Sequence, residues 1–168
     1  ETTPASETKS TAETESTAET SAAGTDSGSE ALAREVLENY KGMLQVSDTV
    51  DYGENAGTPT GNYRYALVNM SEDSQIPVLL LSQENTMYLY HVRIFQYIPD
   101  TDSTVQMNGV LEEGASGGFY RASLALEGDG NGLMLTTISG GTGDTQIGRI
   151  TITSAHDIVS ETQWTGRM

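Results

Sequence analysis

Three oxygen-bearing side chains alternate along a short polar segment of this chain: Asn69, Ser71 and Asp73. The segment lies between two apolar runs, residues 66–68 and 76–81, so it is predicted to connect two strands. Calcium is bound by oxygen ligands, several of them carboxylates, usually with a glycine at the sharp turn of the loop. Because Asp73 is the one charged member of the set and the turn glycine is missing, the pattern favours a strand connector without metal. A Ca²⁺ site at these three residues is the alternative.

Four tyrosines in two predicted strands form a candidate ligand-binding surface. Tyr63 and Tyr65 share one face of their strand, and Tyr88 and Tyr90 share one face of a later strand, because successive side chains alternate. If the two strands are neighbours, the four rings form a patch that could stack on a glycan, since tyrosine is amphipathic. Packing of the same rings in the core is the alternative, and the pattern favours it.

Residues that could support catalysis occur without the arrangement that catalysis requires. The adjacent acids Glu112 and Glu113, or the pair Asp100 and Asp102, could supply the two carboxylates of a glycoside hydrolase. Ser154, His156 and Asp157 contain the residue types of a hydrolytic triad, but no nucleophile-elbow sequence surrounds the serine. The sequence therefore predicts a protein that is not an enzyme and has no catalytic residues. An Asp/Glu-dependent enzyme that acts on glycans is the alternative.

Composition excludes several classes of partner and site. The formal charge is −16, and nucleic acids or anionic lipid surfaces are bound through basic residues. The chain has no cysteine, so disulfides and thiolate metal sites are impossible. No apolar stretch approaches the roughly 20 residues of a membrane-spanning helix. We expect no nucleic-acid partner and no transmembrane helix in this chain.

Residues 1–28 have the composition of a disordered acidic spacer. They contain eight Thr, five Ser, five Glu and five Ala, and no Val, Ile, Leu, Met or aromatic residue. Such a segment cannot bury enough apolar surface to offset the entropy lost on ordering. The stretch 10–14 recurs as 16–20, which is a low-complexity repeat.

This composition resembles the spacer that follows the lipidated cysteine in surface lipoproteins of Gram-positive bacteria. The segment Tyr65-Ala-Leu-Val-Asn-Met-Ser-Glu-Asp-Ser-Gln-Ile-Pro-Val-Leu-Leu is similar to a Tyr-Ala-Leu-x-Asp-Ile-x-Gly-Asp-Gly-Ile-Pro-Glu-Leu-Leu pattern of secreted proteins from such bacteria. That pattern has an acidic loop like those that bind calcium, but here Asn69 replaces the first acid and Val78 the last. The resemblance implies an extracellular protein held at the cell surface by a lipid anchor upstream of residue 1.

A single globular domain is predicted for residues 29–168. Apolar side chains recur at helical spacing from residue 29 to residue 44, beginning with Leu32, Val36 and Tyr40, and predict one amphipathic helix. From residue 63 onward, short β-type runs alternate with turn sequences. The predicted strands are 63–70, 76–82, 87–98, 104–111, 118–126, 132–138 and 146–153.

These elements indicate an α+β fold that is mainly β, in which the helix packs on an antiparallel meander sheet or sandwich of six to eight strands. The run 87–98 is apolar on both faces and is predicted to be central and covered on both sides. The function that these observations favour is a non-catalytic binding or scaffolding domain, cell-surface or secreted, whose ligand is a glycan or a protein. A calcium-stabilised adhesion module and the glycan-acting enzyme are the alternatives.

Overall fold

The β-branched and aromatic runs of the sequence form strands, and the strands form one antiparallel sheet. The computed structural model describes residues 34–36, 38–43, 57–74, 76–116, 120–128 and 130–167, so the spacer predicted for 1–28 lies outside the described residues. Nine strands occur in the described part of the chain. They are β1 (Pro59–Val68), β2 (Val78–Asn85), β3 (Leu89–Ile98), β4 (Ser103–Gln106), β5 (Leu111–Ser116), β6 (Tyr120–Leu126), β7 (Leu133–Ser139), β8 (Asp144–Ile152) and β9 (Ile158–Arg167).

The strands follow one another across the sheet in the order β1-β2-β3-β5-β6-β7-β8-β9, and β4 also pairs with β3. Every strand pair is antiparallel. A turn of 3-10 helix, Pro99–Thr101, joins β3 to β4. The predicted antiparallel, mainly β architecture is therefore confirmed. The predicted number of strands, six to eight, is wrong.

Strand β5 is one of two strands that were not predicted. It is separated from β4 by a break in the pairing opposite β3. Phe95 pairs with Gln106, and Val92 pairs with Leu111. Between these two pairs the chain advances three residues along β3 but five residues along the opposite side. The two extra residues separate β4 from β5 and bury Met107 in the core. The predicted strand 104–111 spans this break, and residues 112–116, predicted as part of a connector, belong to β5.

The second missed strand is β9, at the edge of the sheet. It pairs with β8 along nearly its whole length, from Ile152 opposite Ile158 to Asp144 opposite Arg167. Most of its residues are exposed and polar, so it lacks the alternation of apolar and polar residues that marks a half-buried strand. The predicted strands therefore end at residue 153.

The sheet curves so that the same face of its two halves meets around a core. On this face Leu80 and Ile94, from β2 and β3, belong to one buried cluster with Leu133 of β7 and Ile150 of β8. The backbone N–H of Gly132 donates to the carbonyl of Asn69 at 2.8 Å, which joins the β6–β7 turn to the end of β1. We call this the interior face of the sheet.

The opposite, outer face of β2 and β3 is buried as well. Residues 34–36 and 38–43 are helical, and Val36 and Tyr40 lie in a second buried cluster with side chains of β2 and β3. The strand partners in this cluster are Leu79, Leu81, Phe95 and Tyr97. Strand β3 is thus covered on both faces, as its two-sided apolar pattern predicts. Residues 29–33, 37 and 44 lie outside the described residues, so the helix predicted for 29–44 stays a prediction as a whole.

The hydroxyl of Tyr40 connects the helical residues to the strand backbone. It lies 2.9 Å from the carbonyl oxygen of Pro77 and 3.2 Å from that of Phe95, and it accepts the N–H of Tyr97 at 2.9 Å. Burial raises the pKa of this hydroxyl above its ordinary value, although the backbone hydrogen bond from Tyr97 opposes the effect. One buried hydroxyl therefore serves polar backbone groups at three positions.

Replacing Tyr40 by Phe keeps the ring and removes the hydroxyl, so these backbone groups lose a partner in a buried place. We expect Tyr40→Phe to lower the free energy of unfolding by about 1–3 kcal/mol in urea titrations. Tyr65→Phe is the matched control, because Tyr65 is 66% exposed, and it should change the free energy by less than about 0.5 kcal/mol. Equal effects of the two substitutions would contradict this role of the Tyr40 hydroxyl.

Candidate functional site

An apolar pocket opens on the interior face of the sheet, between β1 on one side and β6 and β7 on the other. Its volume is about 270 Å³. Ala66 of β1 pairs with Leu80 of β2, and both line the pocket. Further apolar residues of β1, β3, β6 and β7 complete most of the wall: Val68, Val92, Leu124, Ala125, Leu126 and Leu133. The pocket therefore joins residues from both halves of the curved sheet.

Three polar side chains also line this pocket: Arg64, Ser82 and Glu113. Arg64 pairs with Ser82 across β1 and β2, which places both on the interior face. The guanidinium carbon of Arg64 lies 3.9 Å from the centre of the Tyr90 ring, a distance typical of a cation–π contact. A positive charge, a hydroxyl and a carboxylate thus accompany an otherwise apolar wall.

Hydrogen bonds from several strands hold the surroundings of Arg64 in place. The Tyr90 hydroxyl donates to Glu84 Oε1 at 3.3 Å. Glu84 Oε2 accepts from Asn62 Nδ2 at 2.7 Å and from Thr60 Oγ1 at 3.1 Å. The hydrogen bond from Asn62 is the main cause of a lowered pKa at Glu84, so this carboxylate is held in its charged form.

The structure does not bring the four predicted ligand-binding tyrosines together. Strand β2 separates β1 from β3, so the strands that carry the two pairs are not neighbours. Tyr63 packs against the cluster on the outer face, whereas the Tyr90 ring lies under Arg64 on the interior side. Tyr65 shares the outer face with Tyr63, since it pairs with Leu81, and its edge strand borders the pocket. Tyr88 lies in the turn before β3, at φ 60°, and is 79% exposed.

A row of polar side chains crosses four strands on the outer face, and sequence reasoning did not find it. Tyr63 pairs with Gln83, Gln83 with His91, and His91 with Glu112. The Tyr63 hydroxyl donates to Gln83 Oε1 at 3.4 Å, and His91 Nε2 lies 3.9 Å from Glu112 Oε1. Gln83 and His91 are buried. The available signal was Gln83 and His91 themselves, two polar residues on one face of otherwise apolar strands.

Asn85 closes one end of this polar row. Its Oδ1 accepts the backbone N–H groups of Met87 at 2.9 Å and Leu89 at 3.3 Å, and so shapes the β2–β3 turn. Its Nδ2 lies 3.4 Å from His91 Nδ1. Burial lowers the pKa of His91 below its ordinary value, and the nearby Glu112 carboxylate partly opposes this shift.

The residues of the predicted calcium site take part in the turn between β1 and β2. The carbonyl of Asn69 accepts the N–H of Gly132, and the carbonyl of Ser71 accepts the N–H of Ser74 at 3.1 Å. The side chain of Asp73 is exposed. Within the described ranges, no group of three or more His, Cys, Asp or Glu could hold a metal ion. A Ca²⁺ site formed by Asn69, Ser71 and Asp73 stays a prediction.

The acids considered for catalysis lie in separate places. Glu112 approaches His91 on the outer face, whereas Glu113 lines the interior pocket, because neighbours on a strand face opposite sides. Asp102 Oδ1 accepts the Tyr97 hydroxyl at 2.9 Å. His156, at φ 64°, lies in the turn between β8 and β9, where Asn108 Nδ2 donates to Asp157 Oδ1 at 2.9 Å.

Comparisons of the chain with protein-family models, with curated proteins and with solved structures found no match. In the part of the chain that the structure describes, no helix is both long and apolar enough to cross a membrane. The pocket and the buried polar row are therefore the features of the described residues that bear on function.

The position of His91 makes the stability of the fold depend on pH. Since its pKa is lowered in the folded state, the unfolded chain binds more protons between that value and the ordinary histidine pKa of about 6.5. The free energy of unfolding therefore rises with pH across this window, and the contribution of His91 is complete above about pH 6.5. Urea titrations between about pH 5.5 and pH 7.5 measure this slope.

We expect His91→Gln, which keeps a polar side chain in the row, to flatten the slope. His156→Gln is the control, because it changes a histidine in the β8–β9 turn. The free energy of unfolding of this variant should depend on pH as steeply as that of the wild type. If His91→Gln retains the full pH dependence, another group causes it and the interpretation is wrong.

Proposed function

We propose that this chain is a non-catalytic binding domain that holds a small apolar molecule, with one polar end, in the pocket between β1 and β6. The observation that carries the proposal is the pocket of about 270 Å³, lined mainly by hydrocarbon side chains. Sites for small ligands are concave and mainly apolar, with a few polar groups that fix the orientation of the ligand. The lining of this pocket has that composition.

The volume limits the ligand to a small molecule. An apolar cavity of about 150 Å³ admits benzene, whereas sites for drug-sized ligands have volumes of about 300–1,000 Å³. The pocket lies between these values, which fits one or two fused rings or a short branched aliphatic group. Arg64, Ser82 and Glu113 provide donors and an acceptor for a polar group at one end of the ligand.

A binding role fits the chemistry of this wall better than catalysis does. Among the described lining residues Glu113 is the one carboxylate, and its sequence neighbour Glu112 belongs to the other face of the sheet. General acid–base chemistry on a glycan needs two carboxyl groups that face the same substrate. No described contact favours the glycan-acting enzyme or the calcium-stabilised adhesion module, and both stay hypotheses.

We further propose that the domain works outside the cell, held near the surface by the acidic segment 1–28 and a lipid anchor upstream. The support is the resemblance of that segment to lipoprotein spacers. Within the domain, we propose that residues 29–44 form one amphipathic helix over the outer face of β2 and β3. The burial of Val36 and Tyr40 supports this helix.

Filling the pocket tests the proposed function. Indole and benzene serve as probes, and the readout is the midpoint of thermal unfolding of the whole chain. A probe at a hundred times its Kd that binds the folded state alone adds about 2.7 kcal/mol, which raises Tm by several degrees. We expect this rise in the wild type and its loss in Ala66→Phe, because the added ring occupies the pocket.

Ala115→Phe is the matched control. Ala115 lies in a strand of the same sheet and is exposed, but it does not line the pocket. The control should keep the response of the wild type to both probes. No response of the wild type, or an equal response of Ala66→Phe, would refute binding in this pocket.

A further inference from the structure

At one end of β6, β7, β8 and β9, the interior face of the sheet carries polar side chains instead of apolar ones. Tyr120 pairs with Ser139, and Asp144, which begins β8, pairs with Arg167. Tyr120 alternates with Leu124, which packs against the core cluster of the interior face. The four paired residues therefore lie on that face, in one line across four strands.

A second line of polar residues lies beside the first, two positions further along the strands. Its members share the same face and pair with one another: Thr137, Gln146 and Thr165. Together the seven residues line a groove of about 660 Å³, which we call the polar groove. It has no lining residue in common with the apolar pocket, so an inference about it does not depend on the proposed function.

The charged side chains of the polar groove are paired but still accessible. Arg167 Nε donates to Asp144 Oδ1 at 3.2 Å, and the two side chains are 69% and 59% exposed. This contact uses one of the five N–H groups of the guanidinium and one of the two carboxylate oxygens. Gln146 Nε2 donates to Thr162 Oγ1 at 2.7 Å, and this bond does not use the carbonyl oxygen of Gln146. The groove therefore offers both donors and acceptors to a ligand.

The chemistry of the lining indicates the class of ligand. Asp144 and Arg167 are the charged residues among the described lining, so the groove carries no net charge. Hydroxyl and amide groups supply further donors and acceptors without charge. The ring of Tyr120 is half-buried and adds an apolar surface on which a ligand can stack. A matching ligand is neutral, has many hydroxyl groups and presents an apolar face, and a saccharide ring has these three properties.

The size of the polar groove favours a ligand with more than one ring. A cavity of about 150 Å³ admits one benzene ring, and sites for drug-sized ligands have volumes of about 300–1,000 Å³. We propose that the polar groove binds a neutral oligosaccharide, with Asp144, Gln146 and Arg167 bonded to its hydroxyl groups and Tyr120 stacked on one ring. The groove binds the oligosaccharide without cleaving it, because glycoside hydrolysis needs two carboxyl groups and Asp144 is the one carboxylate of the described lining.

An acidic oligosaccharide fits the polar groove less well than a neutral one. The net charge of −16 repels anions, and Asp144 places a carboxylate in the groove itself. The preference for a neutral ligand therefore separates this site from a general site for anions beside Arg167.

Titration of the ¹⁵N-labelled whole chain with maltotriose, cellotriose and triacetylchitotriose tests the proposal. The backbone N–H groups of Thr145 and Gly166 report on the groove, because these residues lie between its two lines of side chains. We expect at least one of the three sugars to shift both resonances and to saturate. Trigalacturonate, an acidic sugar, should bind more weakly than that neutral sugar.

Two variants with matched controls connect the binding to the side chains. Arg167→Met should raise the Kd about tenfold, because it removes charge-assisted hydrogen bonds to the sugar. Arg121→Met should bind as the wild type does, because Arg121 is exposed and alternates onto the other face of β6. Tyr120→Ala should raise the Kd several-fold, whereas Tyr88→Ala, which changes a tyrosine that is 79% exposed in the turn before β3, should not.

Three results would overturn the proposal. They are the absence of any shift at Thr145 and Gly166 with all three neutral sugars, an unchanged Kd in Arg167→Met, and tighter binding of trigalacturonate than of the neutral sugars. If Tyr120→Ala does not fold, Arg167→Met decides the question, because its side chain is exposed and its loss leaves the core intact. Indole should still raise the Tm of Arg167→Met, which distinguishes failure of this site from failure of the apolar pocket.

Discussion

Strand β3 is apolar on both of its faces, and both faces have to be covered by other parts of the chain. The apolar side chains of such a strand are removed from water only when other side chains pack against both of its faces. The curved sheet covers one side, where Ile94 meets Ile150 from the far half. The helical residues cover the other side, where Tyr40 packs against Phe95 and Tyr97.

The two covered faces differ in chemistry, and the candidate sites follow from this difference. On the interior face, hydrocarbon side chains of β1, β2 and β6 leave an apolar space beside Arg64. On the outer face, β2 and β3 contribute both to the apolar cluster around Tyr40 and to a buried polar patch of Gln83, His91 and Arg93. A buried polar patch is specific only when its groups are paired, whereas an apolar pocket selects mainly by size and shape. The same two strands thus border an apolar pocket on one side and a buried polar patch on the other.

Much of the sheet could be predicted from the sequence, because alternation and composition are local signals. The two-sided run 87–98 predicted the central strand, and the alternation in 118–126 and 146–153 predicted half-buried strands. Strand β9 was missed because an edge strand with exposed polar residues has no such signal. Strand β5 was missed because a two-residue irregularity opposite β3 disguises where one strand ends and the next begins.

The candidate sites were harder to predict, because they depend on strand order and register. Alternation places Tyr63 and Tyr65 on one face, but it does not say that β2 separates them from Tyr90. The pocket joins Ala66 to Leu124, which are far apart in the sequence. The polar row is visible only when Gln83 and His91 are known to be paired.

The most direct test of the account is a crystal structure of the protein under xenon pressure. Xenon enters apolar cavities, and its electron density locates them without assuming any ligand. The account predicts xenon between β1 and β6, in contact with Leu80, Val92 and Leu133. If xenon is absent there, because the side chains of β1 and β6 fill the space between them, the curved sheet has no binding pocket. The proposed function would then be wrong.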